Sequence, residues 1–137
     1  FDVSHDVPCL GFHISHPESG NILFITDTFL CPYTFKNLNH IMIEINYADD
    51  ILEQNIIKGL SHPAVRPRLM YSHMELETAK GILASNDLRD VSNIILLHLS
   101  AGNSNEDRFI KEITECTGKQ VYAAKKGFEL DFNRVPY

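Results

Sequence analysis

Residues 91–124, VSNIILLHLSAGNSNEDRFIKEITECTGKQVYAA, decide the fold class of this chain. The first part, 91–100, has a continuous apolar run at its centre, which is typical of a strand covered on both faces. Apolar residues then recur at helical spacing over 104–117, and Gly118 follows as a stop signal, so we predict an amphipathic helix there. A second strand over 120–124 comes next. Strands and helices that alternate in this way predict an α/β or mixed α+β fold with layered packing.

The residues on either side of this unit predict further strands and helices. Two apolar runs joined by HPESG predict a hairpin, because proline and glycine supply its turn. The S-x-x-E sequence from Ser72 to Glu75 predicts a capping box with Ser72 as the helix N-cap. The other predicted elements are strands over 10–15, 21–25, 40–46 and 127–132, a helix over 49–58 capped by its aspartates, a proline-punctuated loop over 61–71 and a helix that ends near Asn86.

Length and composition limit the class of protein. The chain has 137 residues, 44% of them hydrophobic, and a formal net charge of −6. These values are typical of one globular domain, and we treat 1–137 as a single domain. The acidic balance argues against a domain that wraps nucleic acid through a broad basic face, although a bound metal would supply positive charge locally.

Hydropathy and cysteine content indicate the compartment. No apolar run is long enough to span a membrane, so we expect no membrane partner. The three cysteines are Cys9, Cys31 and Cys116, an odd number without C-x-x-C spacing. That pattern favours unpaired thiols in a reducing compartment, and we expect a cytoplasmic protein.

Three polar residues come directly after predicted strands. Asp27 follows NILFIT, His98 follows VSNIILL and His5 follows FDVS. In layered α/β proteins ligand sites gather beyond the carboxyl ends of strands, and one carboxylate with two imidazoles suits zinc or manganese. Each residue also has an ordinary interpretation as a turn, cap or hydrogen-bonded polar group. Their separations, 22 and 71 residues, form no ligand signature by themselves.

His73 and the segment LSAGNSN indicate a place for an anion. His73 is predicted at the first position of a helix, and another predicted helix begins at Ser104. Helix N-termini favour phosphate or carboxylate groups, and the side chains of Ser100 and Asn103 could add hydrogen bonds to the same anion. Ordinary helix capping explains Ser72 and Ser104 without any ligand.

Five segments of the chain resemble, in order, the C-terminal half of a metallo-β-lactamase-fold hydrolase. They are SHDVPCLGFHI, ILFITDT, IMIEINYADDIL, SHMELETAKGIL and IILLHLSAGNSN. The resemblance is to the branch that includes bacterial double-stranded-DNA exonucleases and related phage-borne proteins. It implies a four-layer αββα sandwich, of which this chain forms part, with metals at one edge between the sheets.

The resemblance also implies roles for individual residues. The implied metal ligands are His5, Asp27, which is similar to an aspartate that bridges two metals, and His98. His73 is similar to a histidine that the family places near the substrate phosphate, and we predict it to be catalytic. Glu44 and Asn46 lie in a segment that the family keeps close to the site.

The family resemblance implies a reaction and also exposes a gap in the sequence. It implies hydrolysis of a phosphodiester, with DNA or RNA as the leading candidate, by a metal-bound hydroxide on two divalent ions, zinc or manganese. Lactones, thioesters and β-lactams, which the wider superfamily also hydrolyses, stay open as substrates. The family's H-x-H-x-D-H motif, which belongs upstream of the His5 match, is absent from this sequence. We therefore expect the N-terminal half of the fold to be missing from the sequence shown, and its partner surface to be exposed and apolar. A non-catalytic binding or scaffold domain that retains the fold also explains the absent motif.

Overall fold

A five-stranded mixed sheet forms the centre of the chain in the computed structural model, which describes residues 1–135. The strands are β1 (Asp2–Val3), β2 (Cys9–Leu10), β3 (Phe12–His16), β4 (Gly20–Ile25), β5 (Leu38–Glu44), β6 (Asn93–Leu97) and β7 (Gln120–Ala123). The helices are α1 (Asp49–Ile57), α2 (Val65–Ser72), α3 (Leu76–Ser85) and α4 (Glu106–Thr117).

The strand order of the main sheet is β3-β4-β5-β6-β7, and β1 pairs with β2 in a separate ribbon. β3 and β4 form an antiparallel hairpin, whereas β4, β5, β6 and β7 run parallel to one another. Parallel neighbours need crossover connections, and the helices between β5, β6 and β7 supply them. The predicted hairpin and the predicted β6–α4–β7 unit are therefore present, and the α/β fold class is confirmed.

The core lies between one face of this sheet and the helices. Its sheet residues alternate along each strand, as a covered face requires. They are joined by side chains from α3 and α4 that are almost entirely buried. The core includes Leu23, Ile25, Ile41, Ile43, Ile94, Leu96, Leu76, Ala79, Leu83, Phe109 and Ile113.

The other face of the sheet carries a continuous apolar row. Phe12, Phe24, Met42, Ile95 and Tyr122 are register partners across all five strands. Ile95 is buried, but Phe12 on the edge strand is 50% exposed. This open apolar row is the kind of surface expected if a second sheet packs here.

The chain between α1 and α3 differs from its prediction. Residues 65–72 form α2 although the prolines predict a loop. Pro67 lies in the first helical turn, where backbone N–H groups have no intrahelical acceptor, so proline is tolerated there. Ser72 ends α2 instead of capping the next helix, and its hydroxyl donates to the carbonyl of Arg68 at 2.6 Å. His73 therefore lies between two helices and not at the first position of one.

Four predictions about local structure are wrong. Glu75, and not Ser72, is the N-cap of α3, because its carboxylate accepts from two backbone N–H groups of the first turn. Ala48 precedes α1 without a side-chain cap, and Asn105 instead of Ser104 caps α4. Residues 127–132 form no strand. The Phe132 ring stacks on His40 and the Phe128 ring lies near Tyr122, so this segment covers part of the sheet face that carries the apolar row. Within residues 1–135, no helix combines the length and apolarity needed to cross a bilayer.

Candidate metal centre

Three potential metal ligands lie at the carboxyl ends of three adjacent strands. Asp27 follows β4 by two residues, Glu44 is the last residue of β5, and His98 comes directly after β6. Because these strands are parallel neighbours, their carboxyl ends meet at one edge of the sheet. His73 reaches the same place from the connection between α2 and α3. Ligand atoms of these four residues all lie within 4.8 Å of one another.

The Glu44 carboxylate is the centre of this group, and its side chain is fully buried. Its Oε1 lies 2.7 Å from Nδ1 of His73 and 3.1 Å from Nδ1 of His98. Nδ1 of His98 is also 3.2 Å from Oδ1 of Asp27. The Asp27 and His98 side chains are 42% and 46% exposed, so the site has a buried floor and an open rim.

Burial raises the pKa of Glu44 to about 7, although the Thr28 N–H bond and the nearby His98 both act to lower it. The Thr28 backbone N–H donates to Oε2 at 3.0 Å. Burial also lowers the pKa of His73, with a further lowering from His5. A cation at this site would favour the ionised carboxylate and the neutral imidazole, which are the forms that bind metal.

Two of the four residues have strained backbones. Asp27 has φ 52° and His98 has φ 55°, the left-handed region that costs an L-residue about 1–2 kcal/mol. The buried Asn46 stabilises the left-handed conformation of His98, since its side-chain amide donates to the His98 carbonyl at 2.8 Å. The Ser100 N–H in turn donates to the Asn46 carbonyl at 2.9 Å. Tertiary contacts thus fix a conformation that aims the His98 side chain at Glu44.

His5 lies beside this group but outside it. Its ring centre is 5.3 Å from that of His73. Its Nδ1–H donates to the carbonyl of Ser72 at 2.6 Å, and its Nε2 lies 3.0 Å from Asp6. A backbone acceptor on Nδ1 is the usual support for a histidine that binds metal through Nε2. The structure therefore brings Asp27 and His98 together and leaves His5 as a neighbour on the far side of His73.

Ser100 and Asn103 hold the loop after β6. The Ser100 hydroxyl accepts from the Asn103 N–H at 3.3 Å. The Asn103 side-chain oxygen, which is buried, accepts from the amide of Asn55 at 3.0 Å. Ser100 thus bonds within the loop and Asn103 ties the loop to α1, and their role in substrate binding stays a prediction.

The central position of Glu44 is the feature that the sequence prediction missed. The available signal was a carboxylate inside the apolar run IMIEIN, since buried glutamates are rare unless they are paired. Two imidazoles and two carboxylates with converging atoms fit a divalent transition ion such as zinc or manganese. We therefore treat the four residues as a candidate metal centre.

Comparison with solved structures identifies the fold. The chain is similar to the metallo-beta-lactamase fold protein YhfI from Bacillus subtilis, with a TM-score of 0.59 and 18% sequence identity. The match covers 93% of this chain and 45% of that one, so this chain spans less than half of its length. No family model matches the chain, and no curated protein matches it in sequence. At this identity the likeness establishes the metallo-β-lactamase fold and nothing finer.

Proposed function

We propose that this chain, which has the metallo-β-lactamase fold, forms part of a metal-dependent hydrolase that cleaves phosphodiesters. The convergence of Asp27, Glu44, His73 and His98 at one sheet edge is the observation that carries this proposal. The sequence resemblance to the DNA exonuclease branch supports a nuclease as the first form of that activity. The unpaired cysteines, all within the described residues, fit a cytoplasmic location.

The proposed centre takes two divalent ions, zinc or manganese. Asp27 and His98 would hold an ion at the open rim and His5 would hold a second ion, whereas Glu44 and His73, which bond to each other, are assigned to proton transfer. When bound, such ions polarise the phosphoryl oxygen and supply a water of lowered pKa. The remaining ligands would come from the N-terminal half of the fold, packed on the open apolar face of the sheet.

His73 is the proposed proton donor. Its Nδ1 is held by the buried Glu44 carboxylate at 2.7 Å, which leaves Nε2 directed away from the floor of the site. In hydrolysis a water molecule loses one proton to solvent as its oxygen bonds to phosphorus, and the bond from phosphorus to the leaving oxygen breaks. The leaving oxygen takes up a proton from its donor, which is then reprotonated from solvent. His73 can supply this proton, while the Glu44 carboxylate stabilises the imidazolium form.

The test is metal-dependent cleavage by the full-length natural protein. Zinc- or manganese-loaded protein should hydrolyse bis(p-nitrophenyl) phosphate and linear DNA, and Asp27→Ala should abolish both reactions. Asp90→Ala, at the opposite end of the sheet, is the matched control and should retain them. Full activity in Asp27→Ala would refute the proposal.

A non-catalytic scaffold is the second candidate, favoured by the absence of H-x-H-x-D-H from this sequence. It predicts no metal-dependent turnover in the full-length protein and no effect of Asp27→Ala on partner binding. The same assay therefore separates the two functions.

A further inference from the structure

A groove of about 450 Å³ adjoins the candidate metal centre. His73 belongs to both, so a substrate bound at the centre would extend into this groove. Phe29, Leu30 and Met70 are its apolar residues, and Tyr47 lines it together with several polar residues. The volume is sufficient for a small substituent of the substrate.

The polar part of the groove is acidic. Asp49, Glu75 and Glu77 line it, and no lysine or arginine does. Asp49 is paired with Arg66 at 2.6 Å, and Glu77 is paired with Lys80 at 2.7 Å. Glu75 has no basic partner within residues 1–135, and its carboxylate accepts only backbone N–H bonds from Glu77, Thr78 and Asp49.

Tyr47 is an independent indication of a ligand. It is 3% exposed and lines the groove, and its hydroxyl makes no hydrogen bond with any described residue. The Leu76 N–H donates to the Tyr47 carbonyl at 3.0 Å, which fixes Tyr47 beside Glu75. Burial, Glu75 and Asp49 together raise the pKa of Tyr47 to about 12, even though Arg66 acts in the opposite direction. The potential around this hydroxyl is therefore negative.

We propose that the groove binds a primary ammonium group of the substrate. This inference rests on the proposed hydrolase function and names the class of substrate: a small phosphodiester that carries an aminoalkyl substituent. The ammonium N–H groups would donate to the Tyr47 hydroxyl oxygen and to the Glu75 carboxylate, and the alkyl chain would contact Leu30 and Met70. The Phe29 ring adds a cation–π contact.

The same charges exclude an anion from the groove. A second phosphate of a nucleic acid strand would meet the Glu75 carboxylate, which has no basic partner in the described part of the chain, and no basic side chain among the residues that line the groove. A DNA or RNA strand cleaved at the centre would therefore have to run outside this groove, whereas a phosphodiester with one cationic end can fill it.

The experiment uses three p-nitrophenyl phosphodiesters that differ only in the second ester group: 2-aminoethyl, propyl and carboxymethyl. All release p-nitrophenolate, so differences in kcat/KM report the second group. For the metal-loaded full-length protein we expect kcat/KM for the aminoethyl ester to exceed the propyl value at least tenfold. The carboxymethyl ester should fall at least tenfold below the propyl ester.

Two variants assign this preference to the groove. Tyr47→Phe and Glu75→Gln should each reduce the aminoethyl-to-propyl ratio at least threefold, mainly through KM for the aminoethyl ester. Tyr33→Phe, an exposed tyrosine outside the groove, is the matched control and should leave the ratio unchanged. Glu75→Gln can still accept the N–H bonds that cap α3, so its effect reports charge.

The outcomes distinguish a failure of the proposed hydrolase function from a failure of the ammonium assignment. Absence of cleavage of all three esters by metal-loaded protein would refute the proposed hydrolase function. Cleavage with equal kcat/KM for the three esters, or a ratio that Tyr47→Phe does not change, would overturn the ammonium assignment alone.

Discussion

The Glu44 carboxylate and the His73 imidazole form a 2.7 Å hydrogen bond at the floor of the candidate centre. The Glu44 side chain is fully buried, whereas the His73 side chain is 20% exposed. A buried carboxylate therefore holds a partly accessible imidazole in one orientation. This arrangement can stabilise a positive charge on His73 in a site that is otherwise poorly solvated.

Glu44→Gln tests the importance of that charge. Glutamine keeps the size of the side chain and can still accept the Thr28 N–H bond, but it cannot offset a charge on His73. General acid catalysis contributes typically 10²–10⁴-fold, so we expect kcat to fall about 100-fold or more in the full-length protein. The measurement is the initial rate of linear-DNA cleavage, whose alkoxide leaving group needs a proton, with metal content determined on the same samples; cleavage of a p-nitrophenyl ester, whose leaving anion needs none, should fall less. The exposed Glu129→Gln should have no effect, and a normal rate in Glu44→Gln would contradict this role.

Asn46→Ala tests the support of His98. The variant removes the donor to the His98 carbonyl and leaves a partly buried acceptor unpaired, which costs about 1–3 kcal/mol of unfolding free energy. It also releases the left-handed turn, and loss of such supporting bonds weakens metal binding typically 10–100-fold. Urea unfolding and competition with a chromophoric zinc chelator measure the two effects. Asn21→Ala removes a similar bond, to the Asn37 carbonyl, at the other end of β4, and its zinc affinity should stay normal. Equal zinc affinities in all three proteins would show that Asn46 does not position His98.

Sequence reasoning found the strands and the residues that follow them, because burial on a sheet face leaves a direct hydrophobic pattern. Asp27 and His98 were accessible in this way as the first polar residues after apolar runs. Glu44 was not recognised as the centre, because the sequence does not say that β5 lies between β4 and β6. That order follows from pairing between residues that are distant in the chain.

The start of α3 also departs from its local signal. The sequence SHME predicts Ser72 as the cap, because serine is a preferred N-cap residue and glutamate is not. Glu75 is the cap in the structure, where its carboxylate also accepts from the N–H of Asp49 across a long-range contact at 3.3 Å. Ser72 ends α2, a helix that the sequence does not predict because of the prolines in the segment 61–71. The cap at Glu75, which local preference does not predict, is thus accompanied by a long-range contact to Asp49.

His40 predicts a distinct pH dependence of stability. It is fully buried, and its ring centre lies 4.2 Å from that of Phe132. Its Nε2 has no hydrogen-bond partner among the described residues. Burial lowers its pKa below the ordinary value of 6.5. The unfolded chain therefore binds the proton first as pH falls, so the stability that neutral His40 contributes is present above about pH 6.5 and is lost as the pH falls through the folded-state pKa.

Comparison with the His40→Leu variant isolates the contribution of His40 to the pH dependence of the unfolding free energy. Between pH 7.5 and 5.5 the wild type should lose up to about 1.4 kcal/mol more unfolding free energy than the variant. The wild type must be compared with the variant because Glu44, whose pKa is raised, changes the unfolding free energy in the opposite direction. The stability that protonated Glu44 contributes is present at low pH and is lost as the pH rises towards 7. Urea denaturation at pH 7.5 and pH 5.5 measures how the unfolding free energy of each protein changes with pH. The same change of unfolding free energy with pH in both proteins would mean that His40 titrates normally in the folded state.

The open apolar face predicts self-association of the 137-residue chain. Phe12 and Ile14 lie on the edge strand of this face and are 50% and 46% exposed. Burial of apolar surface contributes roughly 25 cal/mol per Å², so two such faces should pair unless another sheet covers them. Sedimentation velocity at about physiological ionic strength, which screens the charge of −6, should show mass increasing with concentration. The double variant Phe12→Glu, Ile14→Glu should sediment as a monomer and keep its far-UV circular dichroism.

Ile57→Glu, Leu60→Glu is the matched control, since these residues are even more exposed but lie at the end of α1 and in the loop after it. That control should associate like the wild type, because a helix-end patch offers no continuous row of register partners. If it abolished association while the edge-strand variant did not, the interface would be on the helical side. A wild-type chain that stays monomeric at every concentration would remove the main physical argument that a second sheet packs on this face.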